Sequence, residues 1–307
     1  MASLKDIKRH IGAVRQTQKL TKAMNMVAAA KLRTIQGVTE HFQKYADEYG
    51  RLLSEIGKRS KIQAESILKP GKQSDKSLII LFTSDKGLCG SFNANIFNLV
   101  DKKILESRKE GLEPSLFVLG RKGCEYYQRR NVKLVKKVQG LSNMFSFNFA
   151  SRTNEEIVRS YTSTTEDTYK EISLVYTKFI SVHHHPVVSD LFLPLVPPED
   201  LEDTPAKDAS EEDKKEFLNS RLDYLIEPEP DDLFSGLIPQ SLTIKLYRAY
   251  LESVTSENAS RMQAMDNASR SCKDIIESLT LAYNKARQSA VTTELLDIVN
   301  GCEALNG

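Results

Sequence analysis

The chain has 307 residues and a mass of 34.6 kDa, with 40% apolar residues and 43 basic against 41 acidic side chains, for a net charge of +2. That is enough chain and apolar content for one or two buried cores, which excludes wholesale disorder, and charges that nearly cancel exclude naming a partner from their sum. No segment approaches the roughly 20 apolar residues that cross a bilayer, and the N-terminus lacks a secretory pattern, so the chain is expected to be neither secreted nor membrane-spanning.

Residues 3–57 contain no proline, and their apolar residues recur at alternating intervals of three and four. This is the pattern of a helix packing along one seam. Ser3 suits the N-cap. A first run, Leu4, Ile7, Ile11 and Val14, is followed by a second, Ile35, Val38, Phe42, Tyr45, Tyr49, Leu52 and Ile56, offset by a skip of the stammer type. Gly12 and Gly37 each weaken the helix by roughly 1 kcal/mol relative to alanine, so a partner helix has to support it.

From 74 to about 196, strand-like runs at 78–83, 116–119, 132–138, 174–180 and 187–196 alternate with helical stretches at 93–110, 122–130 and 154–171. This order implies an α/β domain with a mainly parallel sheet. Residues 197–215, rich in Pro, Glu and Asp, read as a solvated acidic loop or short exposed helix.

Residues 241–300 lack glycine and proline and carry Ile244, Tyr247, Leu251, Val254, Met265, Ala268, Cys272, Ile275, Leu279, Ala282 and Ala286 in one heptad register, with Asn258 and Arg261 at seam positions and Gly301 closing. At about 1.5 Å per residue, helices of this length reach on the order of 80–90 Å and are expected to project from a compact domain. One helix enters that domain and the other leaves it, so side by side they run antiparallel. The expected fold is therefore α/β, a long antiparallel two-helix coiled coil from the terminal segments around a Rossmann-like domain. Its parts are 1–60 (N-terminal coiled-coil helix), 74–197 (central domain), 198–230 (acidic linker) and 231–307 (C-terminal coiled-coil helix).

The turn Ser84-Asp85-Lys86-Gly87-Leu88-Cys89-Gly90 follows a strand and precedes a helix, where a dinucleotide phosphate could sit. It lacks the first glycine of GxGxxG and a Walker lysine followed by Ser or Thr, and no acidic residue closes the second strand, so it reads as a structural turn. His183, His184 and His185 read as a polar strand start before Pro186 rather than a metal site, because neighbours on a strand point to opposite faces. Cys89, Cys124, Cys272 and Cys302 form no CxxC pair and read as reduced thiols of a cytosolic compartment. The asparagines of the NxS triplets at Asn258 and Asn267 fall on a helix of a non-secreted chain and carry no meaning as acceptors.

Lys5, Lys8, Arg9, Arg15, Lys19, Lys22, Lys31 and Arg33 face only Asp6 as an acid. This stretch favours an acidic protein partner. Nucleic acid is the other reading, but basic forks on DNA use parallel dimers of one helix, whereas this chain supplies its own antiparallel partner.

Longer motifs go further than periodicity. The segments TQKLTKAMNMVAAAK (17–31), ENASRMQAM (257–265), YNKARQ (283–288) and VTTELLDIVNG (291–301), with SDKGLCG (84–90) and DYLIEP (223–228), closely resemble the gamma subunit of rotary F-type ATP synthases, of bacterial type. The resemblance spans essentially the whole chain.

It implies a non-catalytic central-stalk rotor with no cofactor, metal or catalytic residue of its own, peripheral to the cytoplasmic face of a bacterial inner membrane. The implied partners are the alpha and beta subunits of the catalytic head, the epsilon subunit and the membrane c-subunit ring. It places Met24 against an acidic loop of beta, and Arg261, Gln288, Thr292, Glu294 and Asp297 among residues that contact the head or tune coupling. Lys19 and Lys22 join them by charge. Cys302 stands where the family usually has alanine, the acidic stretch 199–216 is longer than in compact relatives, and the paired-cysteine insert of the chloroplast branch is absent, so no thiol control is expected. A nucleotide-dependent oxidoreductase on the α/β domain is the alternative, and a coiled-coil nucleic-acid binder is the third reading.

Overall fold

A computed structural model describes residues 4–59, 74–130, 132–141, 146–163, 168–195, 227 and 229–306. The chain divides into two compact units, one made of Met1–Arg33, Leu88–Gly90 and Asn258–Gly307, the other of Thr34–Gly87 and Ser91–Glu257. Two helices, α1 (Leu4–Arg59) and α5 (Pro230–Asn306), contribute residues to both.

The second unit is built on a five-stranded sheet: β1 (Lys76–Phe82), β2 (Glu113–Leu119), β3 (Lys133–Val138), β4 (Glu171–Thr177) and β5 (Val187–Leu193), in the order β3-β2-β1-β4-β5. The first four strands are parallel and β5 runs antiparallel on the edge. Between them lie α2 (Phe92–Lys109), α3 (Arg121–Tyr127) and α4 (Phe147–Thr162). The three central strands β1, β2 and β4 bury nearly every residue, as parallel strands do when both faces are covered. One face packs Leu78, Ile80 and Phe82 with Ile157 and Tyr161 of α4 and with Phe234, Ile238 and Leu242 of α5. On the other, α2 sets Ile96, Val100 and Ile104 against the sheet.

In the first unit, Asn25 Nδ2 donates to the Met262 carbonyl at 2.8 Å and Gln18 Nε2 to the Ser269 carbonyl at 3.4 Å. Seven residues back along α1 matches seven residues forward along α5, so the two stretches run antiparallel in fixed register. In the second unit, Thr39 and Thr255 share a buried hydroxyl contact at 3.0 Å, and Arg248 reaches Asp47 at 3.1 Å.

Several expectations are corrected. The skip in the N-terminal seam is absent: from Leu4, Ile7, Ile11 and Val14 the less exposed positions at heptad spacing continue through Gln18, Thr21, Asn25, Ala28, Leu32, Ile35, Thr39, Phe42, Ala46, Tyr49, Leu53 and Ile56. One continuous heptad runs through small and polar side chains, while Val38 and Tyr45 face out at 49% and 45% exposure. On α5 the expected register holds through Cys272, after which Ile276, Tyr283 and Ala290 replace Ile275 and Ala282 on the less exposed side. An untwisted helix drifts about 20° per heptad, which moves the inward stripe to later positions.

The third helix of the α/β unit is α4, starting seven and ending nine residues earlier than 154–171. The Ser146 side chain caps it by accepting from Phe149 N, and its buried stripe runs Ala150, Thr153, Asn154, Ile157 and Tyr161. The fourth strand ends at Thr177 because a turn takes over: Ser181 N donates to the His184 carbonyl and His184 N to that of Ser181. The three histidines therefore lie in this turn and not at a strand start. Finally, α5 begins at Pro230, passes through Gly236 and Pro239, and continues beyond Gly301. A proline inside a helix costs about 3 kcal/mol, but Phe234, Ile238, Leu242 and Leu246 are buried at four-residue spacing and each contributes about 1.5–3 kcal/mol. Ser3, nearly all of 198–230 and the 223–228 motif, apart from Glu227, lie outside the described residues.

Candidate functional site

The turn after β1 is the position at which an open α/β sheet binds ligands, since β1 lies between β2 and β4 where the strand order reverses. Here the chain fills that position itself. The Asp85 carboxylate accepts from the backbone N–H of Arg121 and of Gly140, both at 3.0 Å. Thr83 Oγ1 accepts from Gly123 N at 3.0 Å, and Asn93 Oδ1 accepts from Ser84 N at 3.1 Å. Gly120, at φ +110°, lies so close that a Cβ would stand 2.1 Å from the Thr83 carbonyl oxygen. A phosphate would meet a carboxylate already on the donors it needs, so the turn is structural, as its sequence suggests.

Among the described residues no group of His, Cys, Asp or Glu is arranged to hold a metal ion, and no helix is long and apolar enough to cross a membrane. In the histidine turn, burial pushes the His185 imidazole below its usual range. Cys89, Cys124 and Cys272 are buried and outside any disulfide, and burial raises the pKa of the Cys124 thiol.

The helical first unit carries the candidate residues. Asn25 and Met262 stand opposite each other, which puts Lys22, Met24 and Arg261 at one level of the helix pair, with Lys19 about one turn away. Lys19 and Lys22 are exposed, whereas Met24 and Arg261 are half-buried. Gln288, Thr292, Glu294 and Asp297 form a second group, all exposed, on a stretch of α5 beyond the residues that face α1. At 1.5 Å per residue, Arg261 and Gln288 are about 40 Å apart along the helix. The structure therefore assembles the first group and keeps the second separate.

Sequence reasoning traced apolar runs that leave out the polar residues Gln18, Thr21 and Asn25. It missed that Asn25 and Gln18 donate across the seam to carbonyls of the opposite helix. The signal was present, since an amide at a seam position of a coiled coil commonly sets register. Buried Ala28 and Ala259 keep the seam thin. The outer surface carries a group of exposed apolar side chains, with Leu20, Met26 and Val27 on α1 and Leu281, Val291, Leu295, Leu296, Ile298 and Val299 on α5 all between 49% and 72% exposed. Clusters of this kind mark surfaces that meet other proteins.

A family model described as ATP synthase matches residues 3–305. The chain is 37% identical to the ATP synthase gamma chain of Maridesulfovibrio salexigens over 100% of both chains, and 39% identical to that of Syntrophus aciditrophicus over 99% of both. Among solved structures it is similar to a chain of the Tetrahymena thermophila mitochondrial ATP synthase central stalk and c-ring assembly, with 26% identity, a TM-score of 0.55 and coverage of 81% of this chain and 99% of that one. It shares its fold with a chain of the Euglena gracilis mitochondrial ATP synthase at 17% identity and a TM-score of 0.62, over 98% of this chain and 94% of that one. A seam that fixes two antiparallel helices, a nucleotide position closed by its own carboxylate and agreement along the whole length lead to one assignment: the chain belongs to the gamma-chain family of ATP synthases.

Proposed function

We propose that this chain is the central-stalk rotor of an ATP synthase, carrying rotation between a membrane c-subunit ring and a catalytic head of alpha and beta subunits. The helical first unit stands inside the head, and the α/β unit sits with the epsilon subunit on the ring. ATP forms in the head, so the chain is a non-catalytic subunit that biases the catalytic sites through the contacts it presents at each orientation, a coupling between distant sites. It is peripheral to the membrane, on the cytoplasmic face.

The observation that carries this reading is the exposed surface of the first unit. Its apolar side chains, from Leu20 to Val299, call for an enclosing protein, and its exposed Lys19 and Lys22 suit acidic loops on that protein. Lys19, Lys22, Met24 and Arg261 then form one contact level, and Gln288, Thr292, Glu294 and Asp297 a second. Each exposed charge pair is worth at most about 1 kcal/mol, so apolar cover and stiffness dominate. Mixing the purified chain with alpha and beta subunits tests the proposal: a stable complex that hydrolyses ATP is expected, and separate elution of this chain would refute it.

A further inference from the structure

A rotor has to hold its helix against its own α/β domain while torque passes between them. Apolar packing resists separation, but it is non-directional and resists turning about the helix axis only through the shape of the side chains. Directional bonds on opposite sides of a helix resist turning far better, because together they act as a couple.

The stretch of α5 inside the second unit has such bonds on two sides. At about 100° per residue, Pro239, Thr243 and Tyr250 lie within roughly 40° of one another around the helix, while Lys245, Arg248 and Ser256 lie on the other side, roughly 100–180° away from Pro239. On the first side, Asn154 of α4 donates through Nδ2 to the Pro239 carbonyl at 2.8 Å and to Thr243 Oγ1 at 3.0 Å, and Tyr250 Oη donates to the Leu141 carbonyl at 3.2 Å. On the opposite side, Lys245 Nζ donates to the Leu191 carbonyl of β5 at 2.6 Å, Ser256 Oγ to the Thr177 carbonyl of β4 at 3.2 Å, and Arg248 reaches Asp47 of α1 at 3.1 Å. Together they tie α5 to α1, α4, β4, β5 and the segment before α4.

We propose that Asn154 and Tyr250 on one side of α5, and Lys245, Arg248 and Ser256 on the other, form a two-sided clamp that fixes the rotational setting of α5 in the α/β unit and carries torque across it. The proposal rests on the rotor reading above. The bonds span about 25 Å of helix between Pro239 and Ser256, so the load is spread along the axis. Four of them end on backbone carbonyls, which cannot swing aside as side chains do. The Lys245 contact is short and charge-assisted, and partial burial holds the ammonium's pKa below the usual lysine range, with nearby Asp190 opposing. The proline inside α5 fits the same scheme, since the Pro239 carbonyl is the atom that Asn154 grips.

The test uses the complete synthase, reconstituted in vesicles for ATP-driven proton pumping and immobilised for single-complex torsional stiffness. Tyr250→Phe and Ser256→Ala each remove one hydroxyl, one from each side, with little change of volume. Each alone is expected to keep stiffness within about two-fold of the parent, whereas the combined variant falls several-fold, more than the two effects together, because the couple is lost. Pumping per ATP hydrolysed is expected to fall with stiffness while hydrolysis continues. Asn154→Leu with Lys245→Met should give a larger loss in the same direction, and if that variant does not assemble, the hydroxyl pair still decides. A merely structural role would lower the denaturation midpoint of the isolated chain and leave the stiffness of assembled complexes unchanged, and that result overturns the clamp. The unsubstituted complex separates the two levels of the argument: its failure to rotate would refute the rotor reading, whereas normal rotation with an unaltered Tyr250→Phe/Ser256→Ala complex refutes the clamp alone.

Discussion

Replacing Arg248 by methionine should show how much of the second unit depends on one buried ion pair. Arg248 Nε lies 3.0 Å from Glu252 Oε1, and the Glu252 side chain is only 5% exposed. Burial pushes the Glu252 carboxyl above the usual glutamate range, against the hydrogen bond and charge of Arg248, which pull it down. Methionine keeps most of the arginine stem's packing but leaves the carboxylate buried without its cation. Breaking such a pair costs about 3 kcal/mol, and with a urea slope near 2 kcal/mol/M the midpoint should drop by about 1.5 M. The loss should also depend on pH. A carboxyl whose native pKa lies above its unfolded value makes the native state bind more protons in that window, so stability falls as pH rises through it. Removing Arg248 raises the native pKa further, so the variant should lose more at about pH 8 than at about pH 5. Urea titrations followed by the near-ultraviolet signal of the buried tyrosines would measure this. Arg248→Met with Glu252→Gln should recover most of the loss. A cost below about 1 kcal/mol, as for a surface pair, or an equal cost at both pH values, would refute the reasoning.

Three further perturbations address other parts of the chain. Gly120→Ala should abolish soluble folding or cost more than about 3 kcal/mol in thermal melts, because the new Cβ meets the Thr83 carbonyl at 2.1 Å on a left-handed backbone; a melting point like the parent's would contradict the packing described. Asn25→Ala removes the bond to the Met262 carbonyl and should cost about 1 kcal/mol, seen as faster amide exchange in the turns of α1 between Gln18 and Ala28; unchanged exchange would mean the bond sets nothing. Tyr49 donates to the Leu237 carbonyl at 2.8 Å, and burial, with the nearby Tyr45, pushes its phenol up to about 12. Its contribution is fully present below the unfolded phenol pKa of about 10 and is lost as pH rises towards 12, so Tyr49→Phe should lower stability by about 1 kcal/mol near neutrality and flatten the alkaline decline.

The architecture was legible because its signals are periodic. Apolar residues three and four apart announce α1 and α5, and β-branched runs between glycine-bearing turns announce the parallel strands. The readings that failed share a physical cause. Val38 and Tyr45 attracted the seam because they are apolar, yet Thr39 and Ala46 face inward, since a thin seam between close helices prefers small side chains and a threonine can return its hydroxyl to the Ile35 carbonyl. The last helix runs through Pro239 because burial of Phe234 and Ile238 outweighs a local penalty that a propensity argument counts alone. The helix at Phe147–Thr162 was displaced because Ser146 went unrecognised as its cap. At the candidate site the charged and polar residues could be picked out along the chain. The pairing of Asn25 with a backbone carbonyl of the opposite helix could not, because a carbonyl leaves no trace in residue identity.

Rotation itself is the most direct measurement of the central claim. With alpha and beta subunits fixed to a surface and a probe attached through a Lys133→Cys substitution on the exposed end of β3, ATP should drive sustained turning of the probe in one direction. A complex that hydrolyses ATP while the probe stays still would contradict the account.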